Sequence, residues 1–238
     1  NTIRKAVKSI DTTHDVEIIC INDGSTDGTK QVLTELQKEV KHLIVYHQDN
    51  QGAAKSRNMG LSAMSDDIDA FMFLDADDQF LPGKMDQMIQ YYEKNEHLDI
   101  VIGQIGRGMH GDWKVIPTHE DIHREAMVSL AEAPEILQSI GPGGKLFKAK
   151  FNTLRFDEDV VFCEEHTFVT RAYLMSRDIQ LVPFIVYGYN EREGSITDQR
   201  ADTFISYLED ARKVRCEVMD MLLLVNEKAY YSYRMDDL

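Results

Sequence analysis

The residues best suited to chemistry are concentrated at 73–78. There the run Phe73-Leu74-Asp75-Ala76-Asp77-Asp78 closes an apolar stretch with three carboxylates. A short apolar run bounded by polar residues, here 70–74, reads as a buried strand. Carboxylates crowded at its carboxyl end repel one another unless a cation or hydrogen-bond donors meet them. Open α/β sheets bind ligands outside the carboxyl ends of their strands. A hard divalent cation held by one or two carboxylates and substrate phosphates suits that place. An isolated D-x-D is more often a plain turn, since Asp favours turns. Here two further apolar runs end the same way: 16–21 in Asn22-Asp23-Gly24-Ser25, and 43–46 in His47-Gln48-Asp49-Asn50-Gln51-Gly52. Three such loops converging on one sheet edge form a site, whereas a solvated surface would scatter those residues.

The elements that position these loops alternate. Residues 2–10 place Ile3, Ala6, Val7 and Ile10 at helical spacing. The β-branched run at 16–21 fits a strand buried on both faces of a parallel sheet. A helix with Val32, Leu33, Leu36 and Val40 on one face follows, then a strand at 43–46 and a helix at 53–64 carrying Lys55 and Arg57. After the Asp-rich strand come a helix at 82–93, with Pro82 at its first turn, and a strand at 98–105. This alternation predicts an α/β fold with a mostly parallel sheet, right-handed crossovers and flanking helices. Beyond 105 the pattern loosens. Residues 118–140 read as mainly helical with an interruption at Pro134, 141–144 (Gly-Pro-Gly-Gly) as a loop, and a helix begins near Glu164. A strand is expected at 179–189, a loop at 191–197 and a long amphipathic helix at 202–225.

Composition narrows the function classes. A chain of 238 residues with 43% hydrophobic and 28% charged content is an ordinary globular protein. Its net charge of −15 argues against a general nucleic-acid surface, while an anionic substrate can still be met by a few local cations and a metal. Cys20, Cys163 and Cys216 lack metal-site spacing and read as reduced thiols in a cytoplasmic setting. No apolar stretch approaches the ~20 residues of a membrane span, so membrane association would be peripheral, at the inner face of the plasma membrane. The chain has no initiator Met and reads as a fragment. Its oligomeric state is left open.

The segments 16–28 (VEIICINDGSTDG), 50–60 (NQGAAKSRNMG) and 73–78 (FLDADD) occur in the order and spacing of a known family. They resemble the nucleotide-binding half of inverting family 2 glycosyltransferases with the GT-A fold. KLFKAKF, FCEEHTFVTRAYL and VYGYNEREGSIT resemble the acceptor half of bacterial members that decorate wall teichoic acids and capsular or exopolysaccharides. The resemblance implies a UDP-sugar donor, Mn²⁺ or Mg²⁺, and a glycan, polyol-phosphate or lipid-linked acceptor. It divides the chain into a nucleotide-sugar half (1–108), an acceptor half of the same domain (109–200) and a C-terminal helical segment (201–238).

It also implies residue roles. Asp23, with Gly24 and Ser25, would read the uracil edge, its alternative role being a turn or helix cap. Asn50, Gly52 and Arg57 would lie by the base or diphosphate. Asp77 would ligate the metal, with Asp75 on ribose or metal and Ala76 between them. Arg192, Ser195 and Thr197 would close over the diphosphate. Glu165 stands where the family places an Asp general base, with Glu164 the runner-up; the alternative is an acidic pair favoured by a helix dipole. Trp113 and Tyr189 are candidates to stack on an acceptor sugar or to pack in the core. Family members begin with a strand that cradles the uridine, and here Asn1 matches that strand's last residue. The expectation is therefore an open sheet position and weakened donor binding. Two rivals remain: a non-catalytic nucleotide- or glycan-binding module of the same fold, and a Mg²⁺ phosphatase using the Asp cluster. Gln79 stands where the latter needs Thr or Val, and the other two segments would go unexplained.

Overall fold

A computed structural model describes residues 2–109, 111–190 and 200–225. In chain order the elements are α1 (Thr2–Lys8), β1 (Ile18–Asp23), α2 (Thr29–Glu39), β2 (Leu43–Gln48), α3 (Ala53–Ser62), β3 (Ala70–Phe71), β4 (Gln79–Phe80) and α4 (Lys84–Lys94). Then follow β5 (Ile100–Met109), β6 (Asp112–Val115), β7 (Ala126–Val128), β8 (Lys145–Lys148), α5 (Glu165–Met175), β9 (Ile179–Asn190) and α6 (Arg200–Leu224). The expected α/β class holds, with helices flanking the sheets.

β5 is the centre. Its apolar residues alternate between faces. Ile100 and Ile102 join the larger core with Phe147, Phe168 and Tyr173, and Val101 joins a second core with Met88, Leu146 and Val186. β5 pairs in parallel with β9 and antiparallel with β8, and β3 adds antiparallel to β8. β3 and β5 therefore run the same way and present their carboxyl ends at one edge. α5 and α6 cover one face, with Val214, Val218 and Leu222 reaching the core, and α4 covers the other. β1 and β2 form a separate parallel pair, packed on α1 and α2 through Val7, Ile18, Leu33, Leu36 and Leu43.

Two readings are corrected. The strand expected at 70–74 is laddered only at Ala70–Phe71, because 72–74 and the free side of β1 have no ladder partner among the described residues. Residues 118–140 are not mainly helical. They form short 3-10 turns at Pro117–His119 and Pro134–Gln138, with β7 between them. β7 is drawn into a ladder by β9, Ala126 opposite Leu181, and buried Ile122, Leu130, Ile136 and Leu137 anchor the rest. Tertiary pairing overrides the local helical pattern here.

Candidate active site

β1 ends at Asp23, whose carboxylate gathers the neighbouring loop. Its Oδ1 accepts from the Gln51 N–H at 2.8 Å and from Gln48 Nε2 at 2.7 Å, and its Oδ2 accepts from the Gly52 N–H at 2.8 Å. Burial would raise its pKa, but these donors outweigh it and hold the carboxyl below its ordinary value. Asp23 thus performs the turn-holding role that was its alternative reading, with lone pairs left for a further donor. Gly24 sits at φ 68°, and a Cβ there would come within 2.6 Å of the Asn50 backbone nitrogen. Only glycine lets the two loops meet. Ser25 closes the first loop by donating its N–H to Asn22 Oδ1 at 3.3 Å.

α3 joins this cluster to the Asp-rich loop. Its Ser56 hydroxyl accepts from Gln48 Nε2 at 3.2 Å. One residue on, Arg57 donates through Nη1 to Glu164 Oε1 at 2.7 Å and through Nη2 to Asp75 Oδ1 at 3.1 Å. The guanidinium rests on the Phe156 ring, 5.4 Å from its centre. Burial opposes its charge, but Asp75, Glu164 and Glu165 outweigh burial and raise its pKa above the ordinary arginine value.

Residues 75–78 form a tight turn closed by the Asp78 N–H donating to the Asp75 carbonyl at 3.1 Å. Asp75 is half exposed and Asp78 is buried. The loop is held from β9. The Asp75 N–H donates to the Tyr187 hydroxyl at 3.1 Å, and that hydroxyl donates to Asp78 Oδ2 at 2.8 Å. The Asn190 N–H reaches Asp78 Oδ1 at 2.9 Å, and Asn190 Nδ2 reaches the Asp77 carbonyl at 2.6 Å. Asp77 and Ala76 are thereby presented at the tip. Tyr187→Phe should leave Asp78 short of a buried donor, costing about 1–2 kcal/mol and loosening the loop. Thermal unfolding should register the first effect, and calorimetric titration of UDP with Mn²⁺ a loss of roughly three- to tenfold in affinity.

The acidic pair opens α5. Glu164 is its buried N-cap residue and Glu165 its first residue. Cys163 just before them has φ 65°, uncommon for a non-glycine residue and a sign of local backbone strain at the pair. The two carboxyls are neighbours in sequence, and like charges side by side resist joint ionisation. Burial first, and then Glu164, push Glu165 up to about 8, against the pull of Arg57.

The structure therefore unites Asp75, Arg57, Glu164 and Glu165 at one sheet edge, with the Asp23–Gly24–Asn50–Gly52 cluster joined to them through α3. Arg192, Ser195 and Thr197 lie outside the described residues. Trp113 packs over Gly188 and Gly106, and Arg107 lies over Tyr189, 5.2 Å from its ring centre. Sequence reasoning passed over Tyr187 and Asn190. The available signal was a pair of polar side chains at the carboxyl end of an otherwise apolar strand.

The fold is of the GT-A type, matching solved glycosyltransferases in architecture. S. aureus TarS 1–349 in complex with UDP-GlcNAc aligns with a TM-score of 0.73 at 20% identity, over 90% of this chain and 62% of that one. GalNAc-T7 with UDP, GalNAc and Mn²⁺ aligns at 0.57 and 14% identity, over 81% of this chain and 41% of that one. Residues 1–162 match the family model for Glycosyl transferase family 2, and the chain belongs to that family. The putative glycosyltransferase TagX of Staphylococcus aureus (strain MSSA476) is 36% identical over 239 residues, 99% of this chain and 67% of the relative. The chain spans about three fifths of the solved TarS 1–349 chain.

Proposed function

We propose that this chain is an inverting, divalent-metal-dependent glycosyltransferase that moves a sugar from a UDP-sugar to a hydroxyl of a cell-surface glycan or polyol-phosphate acceptor. The observation that carries the reading is the Arg57 bridge, which ties the Asp-rich loop to an acidic pair. The loop read as facing the diphosphate and the pair read as the proton acceptor are thus held next to each other by one guanidinium. Family membership, the UDP-GlcNAc bound to TarS and the UDP present with GalNAc-T7 support the donor class.

Asp75 and Asp77 offer hard oxygen donors. They would hold an Mg²⁺ or Mn²⁺ whose coordination the diphosphate and water would complete. A bound ion would neutralise charge developing on the departing UDP. Glu165 takes the acceptor hydroxyl proton as the oxygen attacks the anomeric carbon. The new C–O bond forms as the bond to the diphosphate breaks on the opposite face, which inverts the configuration. Glu164 is committed to Arg57, so Glu165 is the better base. Asp23 and its loop hold the nucleoside end.

Calorimetric titration of UDP with and without Mn²⁺, on the wild type and on Asp77→Ala, tests the site. The expected result is binding that needs both the metal and Asp77. Binding indifferent to both would overturn the reading.

A further inference from the structure

The Gly-Pro-Gly-Gly loop at 141–144 has no part in the mechanism above. Its approach is fixed by three buried polar side chains, His119, Ser139 and Lys145. Nζ of Lys145, the first residue of β8, donates to the Ser139 hydroxyl at 2.7 Å and to the Gly141 carbonyl. Ser139 Oγ also lies 2.8 Å from His119 Nε2, and His119 Nδ1 accepts the Ile105 N–H at 3.2 Å. The loop is thus fastened at its start to the backbone of β5. At its end the Gly103 N–H donates to the Gly144 carbonyl at 2.9 Å, a second tie to β5. Leaving a buried polar group unpaired is costly, so these ties hold the loop in one place.

Held this way, the loop lies across a pair of the β5–β9 ladder, Ile105 and Tyr187. A Cβ on Gly144 would come within 3.2 Å of Ile105 Cγ1, and a Cβ on Gly143 within 3.2 Å of Tyr187 Cε2 and Cζ. Carbon atoms prefer about 3.5–4.0 Å, so a side chain at 143 would displace the ring. The buried ring has little room to yield. Phe80 meets it edge to face, ring centres 6.0 Å apart, and its hydroxyl is held by the Asp-rich turn. That hydroxyl accepts the Asp75 N–H at 3.1 Å and donates to Asp78 Oδ2 at 2.8 Å. Cζ is the carbon that carries it. A push at 143 is therefore transmitted through one rigid ring to both partners on the turn.

We propose that Gly143 is a positioning residue for the Asp-rich turn: the anchored loop seats the Tyr187 ring, and the bare backbone at 143 sets where its hydroxyl meets Asp75 and Asp78. Gly143 acts through Tyr187 and touches neither donor nor metal itself. The inference rests on the role proposed above for the Asp-rich turn in holding the UDP-sugar and its metal.

Hydrogen exchange of the Asp75 amide, read by NMR on the free protein, tests the contact. Gly143→Ala should speed it by at least about threefold. Gly141→Ala is the control in the same loop, because a Cβ there meets nothing within 4 Å among the described residues, and it should leave the rate within about twofold of wild type. Exchange no faster in folded Gly143→Ala than in Gly141→Ala overturns the proposal. Should Gly143→Ala not fold, Ser139→Ala, which removes the hydroxyl that anchors the loop, decides in the same sense. Calorimetric titration of UDP with Mn²⁺ then separates positioning from general loosening. Gly143→Ala should lower the affinity roughly three- to tenfold. Added to Tyr187→Phe, where the hydroxyl is already gone, it should lower it by less than about twofold further. An unchanged affinity, or a loss that persists in full in the Tyr187→Phe background, would mean a structural role only and overturn the proposal. The exchange measurement needs no nucleotide. A wild type that binds no UDP counts against the transferase reading, while Asp75 exchange still judges Gly143.

Discussion

Glu165→Gln is expected to lower transfer by about 10²–10⁴-fold while leaving UDP binding within about twofold of wild type. Gln keeps the size and polarity of the side chain but cannot accept the hydroxyl proton. The same substitution at Glu164 should act differently, because it breaks the 2.7 Å contact with Arg57 and disturbs stability as well as rate. Wild-type transfer should fall as pH drops through about 8, where the Glu165 carboxyl regains its proton. Stability should run the opposite way. The folded-state pKa lies above the ordinary carboxylate value, so the folded chain holds a proton that the unfolded chain has released. The stability Glu165 contributes is present below about pH 4.5 and is lost as pH rises toward 8. Glu165→Gln removes that dependence, so its Tm should match wild type in acid and exceed it at pH 8 and above. A variant equally active, or one whose Tm falls at alkaline pH, would rule out this account of the group.

How legible this was in the sequence depends on the range of each interaction. The β-branched run that became β1 and the amphipathic patterns of α2 and α4 are local signals, and they appear where expected. The three polar loops were visible because each ends an apolar run. Ladder partners were not visible, so 72–74 read as strand though only Ala70–Phe71 pair, and 118–140 read as helix though β9 recruits part of it. The site's connecting contacts are also long-range. Arg57 and Glu164 are 107 residues apart, and Asp78 and Tyr187 are 109 apart. Residue type alone left Arg57 with a phosphate role or a surface ion pair, and the fold gives it two carboxylates, half-exposed Asp75 and buried Glu164.

Arg57→Ala is expected to be the most destabilising single change at the site. The Arg57 side chain is 17% exposed and that of Glu164 10% exposed, so removing the cation strands Glu164 in a poorly solvated position beside Glu165. Asp75, half exposed, is rescued by water and adds little. Breaking a buried pair this way costs about 3 kcal/mol, or about 6–12 °C in Tm for a chain of this size. Transfer should vanish as well, since Glu165 loses the one neighbour in the acidic cluster that favours its ionised form. Arg57→Lys should not rescue it, because a single ammonium cannot span two carboxylates as a planar guanidinium does. The double variant Arg57→Met/Glu164→Gln separates the two effects. With no stranded charge it should regain most of the lost stability, yet transfer nothing, because the Asp-rich loop is no longer tied to α5. A single variant with unchanged Tm would show that the bridge carries no energy. A double variant that regained transfer would show that it positions nothing.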